Sequence, residues 1–361
     1  MRQSKIFWFL IFTLGANLLI RVYSYRTEYL TKYDPVYWES RYLNSQWVVP
    51  DSTQPIGDDG LYAYAGWEYI HGRDPTTLNA EMPPLGKYFV GLSILVFGNQ
   101  NIFALACGLL VLFGLYKLNK LIFKNQNWAL LPVVLFSFEP LFWQQLRAPF
   151  LDLLYLLFLL FTFYFLLKEK ILLSVFFLGL MMATKASVAT FILMVIAILG
   201  YLIISRQPKV IKRWLTALPI FFVVFSLVYI RYFWLGHGLI SFLGVQKWIL
   251  NFYSVGAKAI PQSVWQMLLT GRWFTWWNGI ANIPEWWIGW AIMLVGAIVY
   301  WSVVIIRRKV DKSLLIAVWL LVYLIFLTFV PAWPRYLLVV IPFMYNLSVW
   351  LLPWSKNTRA R

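Results

Sequence analysis

Cysteine is nearly absent: Cys107 stands alone in the 361-residue chain. No intramolecular disulfide can form, so the sequence carries no mark of a redox compartment. Charge is scarce as well, at 12% of residues, about half the share found in soluble globular proteins. There are two histidines, His71 and His237, and no His/Cys/Asp cluster has recognised metal spacing. Internal repeats and low-complexity linkers are also missing. What fills the chain is apolar, 61% of residues, in several runs that approach or exceed the ~18 residues of a membrane-spanning helix. These features exclude an ordinary soluble enzyme and predict an all-α polytopic membrane protein in one domain, 1–361. The first run, from Ile6, lacks a small-residue cleavage signature and is followed by Arg21, which reads as an uncleaved anchor.

The net charge of +17 would point to a nucleic-acid partner in a soluble protein. Here it follows membrane topology, with no nucleic acid. Ten spans are predicted near 6–22, 101–116, 127–145, 151–167, 171–184, 187–204, 214–234, 286–305, 313–330 and 336–352. An even count places "MRQSK", "KLNKLIFK", "KEK", "SRQPKVIKR", "RRKVDK" and "SKNTRAR" on one side, with both termini. By the positive-inside rule that side is the cytoplasm, as expected of a plasma-membrane protein. The segment "PPLGKYFVGLSILVFGN" would make eleven spans and move every later basic loop outside. It is therefore expected to lie along the outer face. Two outer loops remain, 23–100 and 235–285, together with tight turns at Arg147–Asp152, Lys185 and Pro331–Arg335. The second loop is tryptophan-rich ("GRWFTWWNG", "PEWWIGW"), which suits the headgroup zone.

Nine of the 14 acids lie between Glu28 and Glu81. Few charges sit within spans, Glu139 being the clearest, whereas an ion-coupled transporter would more often carry acids at the midplane. The pattern predicts a site at the outer interface. Locally, Asp58 and Asp59 read as an Asp-Gly turn. Pro83-Pro84 can start a helix. Arg147 is a fork suited to phosphate or a membrane-end anchor. Asp152 is a helix-start carboxylate, and Lys185 in "ATKAS" is a snorkelling lysine or a phosphate contact.

Taken in order, "DDGLYAYAG…NAEMPPLGKYFVGL", "LRAPFLDLLYLLF", "GLMMATKASVATF" and "PRYLLVVIP" resemble the protein O-mannosyltransferases and the lipid A aminoarabinose transferases. Both are polyprenyl-phosphate-sugar-dependent glycosyltransferases of the GT-C fold, and the likeness runs from about Asp58 to Pro342. It implies a GT-C-like membrane domain with about 10–11 spans and interfacial helices in the first outer loop. The implied activity is inverting transfer of a mannose-like hexose from a polyprenyl phosphate to an acceptor hydroxyl. Asp58 matches the general base. Asp59 departs from the usual Asp-Glu pair, and Tyr62 follows in the same motif. Glu81 matches the acid before Pro-Pro-Leu, where Met82 replaces a lysine, while Lys87 follows as in the mannosyltransferases. Arg147, Asp152, Lys185, Arg335 and Tyr336 are implied to bind substrate, the cations facing the leaving phosphate. The aminoarabinose branch also implies a divalent metal on Glu81 and His237. Part of the second loop, "FLGVQKWILNFYSVGAK", is faintly similar to a later mannosyltransferase loop.

The acceptor stays open between a protein Ser/Thr hydroxyl, a lipid A-like glycolipid and a glycan. A lipid-linked-sugar flippase or a catalytically silent scaffold would share the spans and outer cations. Neither explains the acidic pair followed by Pro-Pro-Leu-Gly-Lys.

Overall fold

The computed structural model describes residues 5–255, 263–275, 279–307 and 310–352. The first four residues, Lys258, Trp276, Trp277, Arg308, Lys309 and the basic "SKNTRAR" tail lie outside the described residues.

Helix α1 (Lys5–Ser24) leads into two short helices, α2 (Arg26–Leu30) and α3 (Pro35–Leu43). Asp34 caps α3 by accepting from the backbone N–H groups of Val36 and Tyr37, and Pro35 occupies the first turn, where its missing N–H costs nothing. The acidic stretch then forms α4 (Asp58–Ile70), with Gly57 at its N-cap. Asp58 and Asp59 sit in its first turn, the favourable end of the helix dipole for acids. The Pro83-Pro84 pair precedes α5 (Leu85–Phe97), which Gly98 terminates at φ +68°.

Helix α5 begins and ends at one end of the bundle. At its start, the Leu85 N–H donates to the carbonyl of Ala183, beside Lys185. At its finish, the Gly98 carbonyl accepts from the Tyr33 N–H, and Asn99 donates to the carbonyls of Glu28 and Thr31. A 13-residue helix is also only about 20 Å long, short of the apolar thickness of a bilayer. Gly66 and Gly91 let α4 and α5 touch: a Cβ on Gly91 would stand 2.2 Å from the Gly66 carbonyl oxygen.

The remaining helices are α6 (Asn101–Ile122), α7 (Gln126–Ser137), α8 (Pro140–Leu146), α9 (Asp152–Leu167), α10 (Ile171–Met182), α11 (Ser187–Ile204), α12 (Pro208–Val228), α13 (Ile230–Trp234), α14 (Leu239–Val255), α15 (Ser263–Thr270), α16 (Gly289–Arg307), α17 (Ser313–Phe329) and α18 (Ile341–Leu351). A 3-10 segment, Pro334–Val339, feeds α18. Each of the ten predicted spans falls on one or more of these elements. Four of the helices, Lys5–Ser24, Asn101–Ile122, Pro208–Val228 and Gly289–Arg307, are by themselves long and apolar enough to cross a membrane. The pair α7 and α8, bent by 68°, makes a fifth candidate if the two helices act as one broken span. The break falls where Pro140 cannot continue the hydrogen bonding of α7. The other predicted spans are shorter apolar helices or, as with the 3-10 segment and α18, broken ones.

The expectation of an all-helical chain needs one amendment. In the second loop, β1 (Arg272–Thr275) pairs antiparallel with β2 (Gly279–Asn282), Arg272 opposite Asn282 and Thr275 opposite Gly279. Aromatic and β-branched residues favour this pairing, and the glycines 271 and 279, at φ +69° and +72°, supply the turns.

The helices share a contiguous apolar core from Phe7 to Leu347. Two sets of turns meet separately around it. One set joins Glu28 to Arg147, Asp152 to Lys185 and Asp58 to Arg335. The other joins Glu169 to Arg213 and Asp311 to the Trp350 N–H, with Phe123, Ala129 and Val349 packed together nearby.

Candidate active site

Four charged side chains from four distant parts of the sequence alternate in sign at the first of these ends. Lys185 Nζ donates to Asp152 Oδ1 at 2.6 Å. Asp152 Oδ2 stands 4.0 Å from Arg335 Nε. Arg335 Nη2 donates to Asp58 Oδ2, and the Tyr62 hydroxyl donates to the same oxygen at 3.4 Å. Burial is graded along the row: the side chains of Asp152 and Lys185 are 4% and 8% exposed, Arg335 16% and Asp58 34%. Asp58 is thus the member open to an incoming molecule, and its Oδ1 has no partner among the described residues.

Local structure explains how each group arrives. Asp58 opens α4 and Asp152 opens α9, so both carboxylates stand at helix N-termini. Lys185 lies in the reversal between α10 and α11, where Ala186 adopts φ +47°, a left-handed conformation unusual for a residue with a Cβ. Arg335 projects from the 3-10 segment, with its guanidinium 5.6 Å from the rings of Phe150 and Trp333 and 5.9 Å from Tyr336. The Tyr336 ring also lies 4.7 Å from the Lys185 ammonium. Aromatic faces attract cations most where water is excluded.

Burial pulls the Lys185 amine below its ordinary range, opposed by the Asp152 carboxylate. Arg335 is also penalised by burial, but Asp58 and Asp152 more than offset this and hold it firmly charged. Burial and the Asp58 charge keep the Tyr62 phenol well above its usual value, so it donates and does not ionise.

The other predicted residues divide. Glu81 is buried, hydrogen-bonded to the Asn79 amide, and within electrostatic reach of both Asp58 and Lys87. Lys87 is fully buried beneath this loop, donating to the carbonyls of Asn79 at 2.6 Å and Met82 at 2.8 Å. Burial lowers its amine to about 7, against the pull of Glu81. With its amine spent on two carbonyls, Lys87 holds the loop before Pro83. The Asp59 carboxylate folds back toward Gly57 and makes no hydrogen bond or ion pair among the described residues. Arg147 is displaced from the charged row: it pairs with Glu28 at 3.0 Å, over the Tyr25 ring.

His237 and Glu81 have different partners. His237 Nε2 meets Asp74 Oδ2 at 2.9 Å and its ring stacks on Tyr232. Among the described residues no three His, Cys, Asp or Glu side chains converge. The donors present do not fit the divalent metal implied on Glu81 and His237.

Sequence reasoning missed two things here. Tyr253, near the end of α14, donates to the Glu81 carbonyl at 3.2 Å, which brings the second loop onto the first. No spacing signal marks it. The tryptophans read as headgroup anchors include Trp287 and Trp290, whose indole N–H groups donate to Glu139 at 3.1 and 2.7 Å.

Residues 81–234 match the family model described as dolichyl-phosphate-mannose-protein mannosyltransferase. No curated protein matches the chain. Among solved structures, the chain is similar to ArnT from Cupriavidus metallidurans bound to undecaprenyl phosphate, at 17% identity and a TM-score of 0.61. The same enzyme in its apo state gives 17% and 0.59. Each likeness covers 84% of this chain and 57% of that one, so the chain spans little more than half the length of its structural neighbour. The chain therefore has the GT-C fold of ArnT and, through residues 81–234, resembles the dolichyl-phosphate-mannose-protein mannosyltransferase family.

Proposed function

We propose that this protein is a membrane-embedded glycosyltransferase that moves a mannose-like hexose from a polyprenyl phosphate to an acceptor hydroxyl, with inversion. The observation that carries the reading is the charged row: a part-exposed carboxylate with one open oxygen, next to a buried lysine and a mostly buried arginine, at one end of an apolar bundle. Asp58 Oδ1 accepts the proton of the acceptor hydroxyl as that oxygen attacks the anomeric carbon, which requires hydrogen-bond reach and a charged base. Arg335 and Lys185 face the negative charge that collects on the departing phosphate. Asp152 orients both cations, and Tyr62 orients Asp58. The donor's lipid chain lies in the bilayer beside the bundle.

The family description supports mannose as the sugar, and undecaprenyl phosphate on ArnT supports a polyprenyl carrier. The basic turns at the far end support an active site on the outer face of a prokaryotic plasma membrane, with both termini cytoplasmic and one domain carrying the loops 23–100 and 235–285. A protein Ser/Thr hydroxyl is the acceptor favoured by the Pro-Pro-Leu-Gly-Lys ending.

The test is release or transfer of sugar from a synthetic polyprenyl-phosphate mannose by purified protein in lipid nanodiscs. Asp58→Asn should lower kcat by at least about 100-fold, the usual contribution of a general base. Equal turnover of the two proteins would remove Asp58 as the base. Translocation of the donor without transfer would replace the enzyme reading by a flippase.

A further inference from the structure

The row of four charges is neutral as it stands, which raises a difficulty for the leaving phosphate. Lys185 is committed to Asp152 by a buried 2.6 Å contact. Arg335 is committed to Asp58. Cations already paired with carboxylates give little to a substrate that arrives as a singly charged phosphodiester. We infer that Asp58 and Arg335 form a charge-exchange pair, in which the proton taken up by Asp58 releases Arg335 to the phosphate that departs. This rests on the glycosyltransferase reading and adds a step to it.

The charges balance. Before reaction the site holds Asp58 as an anion, Arg335 as a cation, a monoanionic donor diester and a neutral acceptor hydroxyl. The acceptor oxygen forms its bond to the anomeric carbon, the bond from that carbon to the phosphate oxygen breaks, and the hydroxyl proton goes to Asp58. Afterwards Asp58 is neutral, the acceptor is glycosylated, and the polyprenyl phosphate carries a second negative charge. The anion has moved from carboxylate to phosphate while Arg335 keeps its charge.

Three features of the geometry suit this exchange. Arg335 holds Asp58 through one donor only: Nη2 binds one oxygen of Asp58, whereas Nε, also buried, has no hydrogen-bond partner. Its second carboxylate, Asp152, gives one oxygen to Lys185 and holds the other, itself without a hydrogen-bond partner, 4.0 Å from Arg335 Nε, which keeps the guanidinium in place while Nη2 changes partner. The rings of Phe150, Trp333 and Tyr336 then hold the cation in place while its anion changes. A buried charge that loses its partner is costly, and the growing phosphate charge relieves that cost at the moment the bond breaks. The interaction is therefore stronger in the transition state than with bound substrate, which is the condition for raising kcat. Lys185 keeps its partner throughout and contributes a constant field.

The exchange predicts that an inactive variant binds product better. Asp58→Asn imitates the protonated carboxyl. Its affinity for undecaprenyl phosphate, measured by calorimetry on protein in nanodiscs, should exceed that of the unaltered protein by about tenfold or more. Asp58→Ser, which keeps a helix-start oxygen, repeats the test if the asparagine variant does not fold. In an Arg335→Gln background the gain should vanish, whereas in a Lys185→Gln background it should persist on a lower baseline. Equal or weaker binding by both neutral variants overturns the exchange, as does a gain that survives Arg335→Gln. Transfer by the unaltered protein, combined with no gain in Asp58→Asn, removes the exchange and leaves the glycosyltransferase standing. Absence of transfer by the unaltered protein removes the functional reading itself.

Discussion

At the scale of single residues, identity and role separate according to what each side chain touches. Lys87 follows Pro-Pro-Leu-Gly and resembles a substrate contact in sequence, yet its amine is spent on the carbonyls of Asn79 and Met82. Lys87→Met should leave the Met82 carbonyl unpaired, at about 1–3 kcal/mol, and leave the Asn79 carbonyl only the Met82 N–H as donor. The expected result is a lower melting temperature with the Glu81 loop loosened, read by thermal unfolding and by protease sensitivity near Asn79. Unchanged stability would return Lys87 to a substrate role. Glu139 carries the opposite lesson. It was legible as an acid within a span, but its partners were not. Trp287, Trp290 and Tyr345 donate to its two oxygens, and it is 1% exposed. Glu139→Ala should strand three donors and destabilise the protein by several times the ~1 kcal/mol of an ordinary hydrogen bond. A melting temperature within a degree of the unaltered protein's would show that the three donors find other partners.

At the scale of elements, the pairing of α4 with α5 decides whether Asp58 faces the cations. Gly66 and Gly91 meet backbone to backbone: a Cβ on Gly66 would lie 2.5 Å from the Lys87 carbonyl oxygen and 2.8 Å from the Gly91 nitrogen. Gly91→Ala should force the helices apart and lower sugar transfer at least tenfold, because small displacements of reacting groups cost rate steeply. Gly15→Ala on α1 is the control, since nothing lies within 4 Å of its Cβ. It should be neutral or stabilise by about 0.5–1 kcal/mol through helix propensity. Equal effects of the two substitutions on transfer would show that the close contact is not what positions Asp58. The helix boundaries near Pro35, Pro84 and Pro140 follow from local chemistry, because proline and capping side chains act within one turn. The crossing of α4 over α5 has no such local signal; two glycines 25 positions apart become partners only when the helices meet.

At the scale of the whole molecule, the even count of apolar runs predicts two groups of turns, and among the described residues the structure joins Asp58, Asp152, Lys185 and Arg335 in one place and Glu169 with Arg213 in another. The proposed orientation is checked with single cysteines in a Cys107→Ser background, labelled by a membrane-impermeant maleimide. Ser40→Cys and His237→Cys should label in intact cells, and Lys124→Cys and Lys170→Cys only after permeabilisation. The reverse pattern would invert the topology and place the charged row in the cytoplasm.

By itself the sequence determined that the chain is helical and apolar, where its proline and glycine breaks fall, and that its acids gather in one loop. These are local or compositional properties, set by hydrophobic run length, backbone sterics and charge. It also supplied Asp58, Asp152, Lys185 and Arg335 as separate candidates. Only the tertiary structure decided that these four form one alternating row, that Arg147 belongs with Glu28, that Glu81 and His237 have different partners, and that Tyr253 reaches the first loop. Ion pairs between residues up to 277 positions apart depend on which helix ends coincide. That coincidence comes from the packing of the whole bundle, which no stretch of sequence encodes alone.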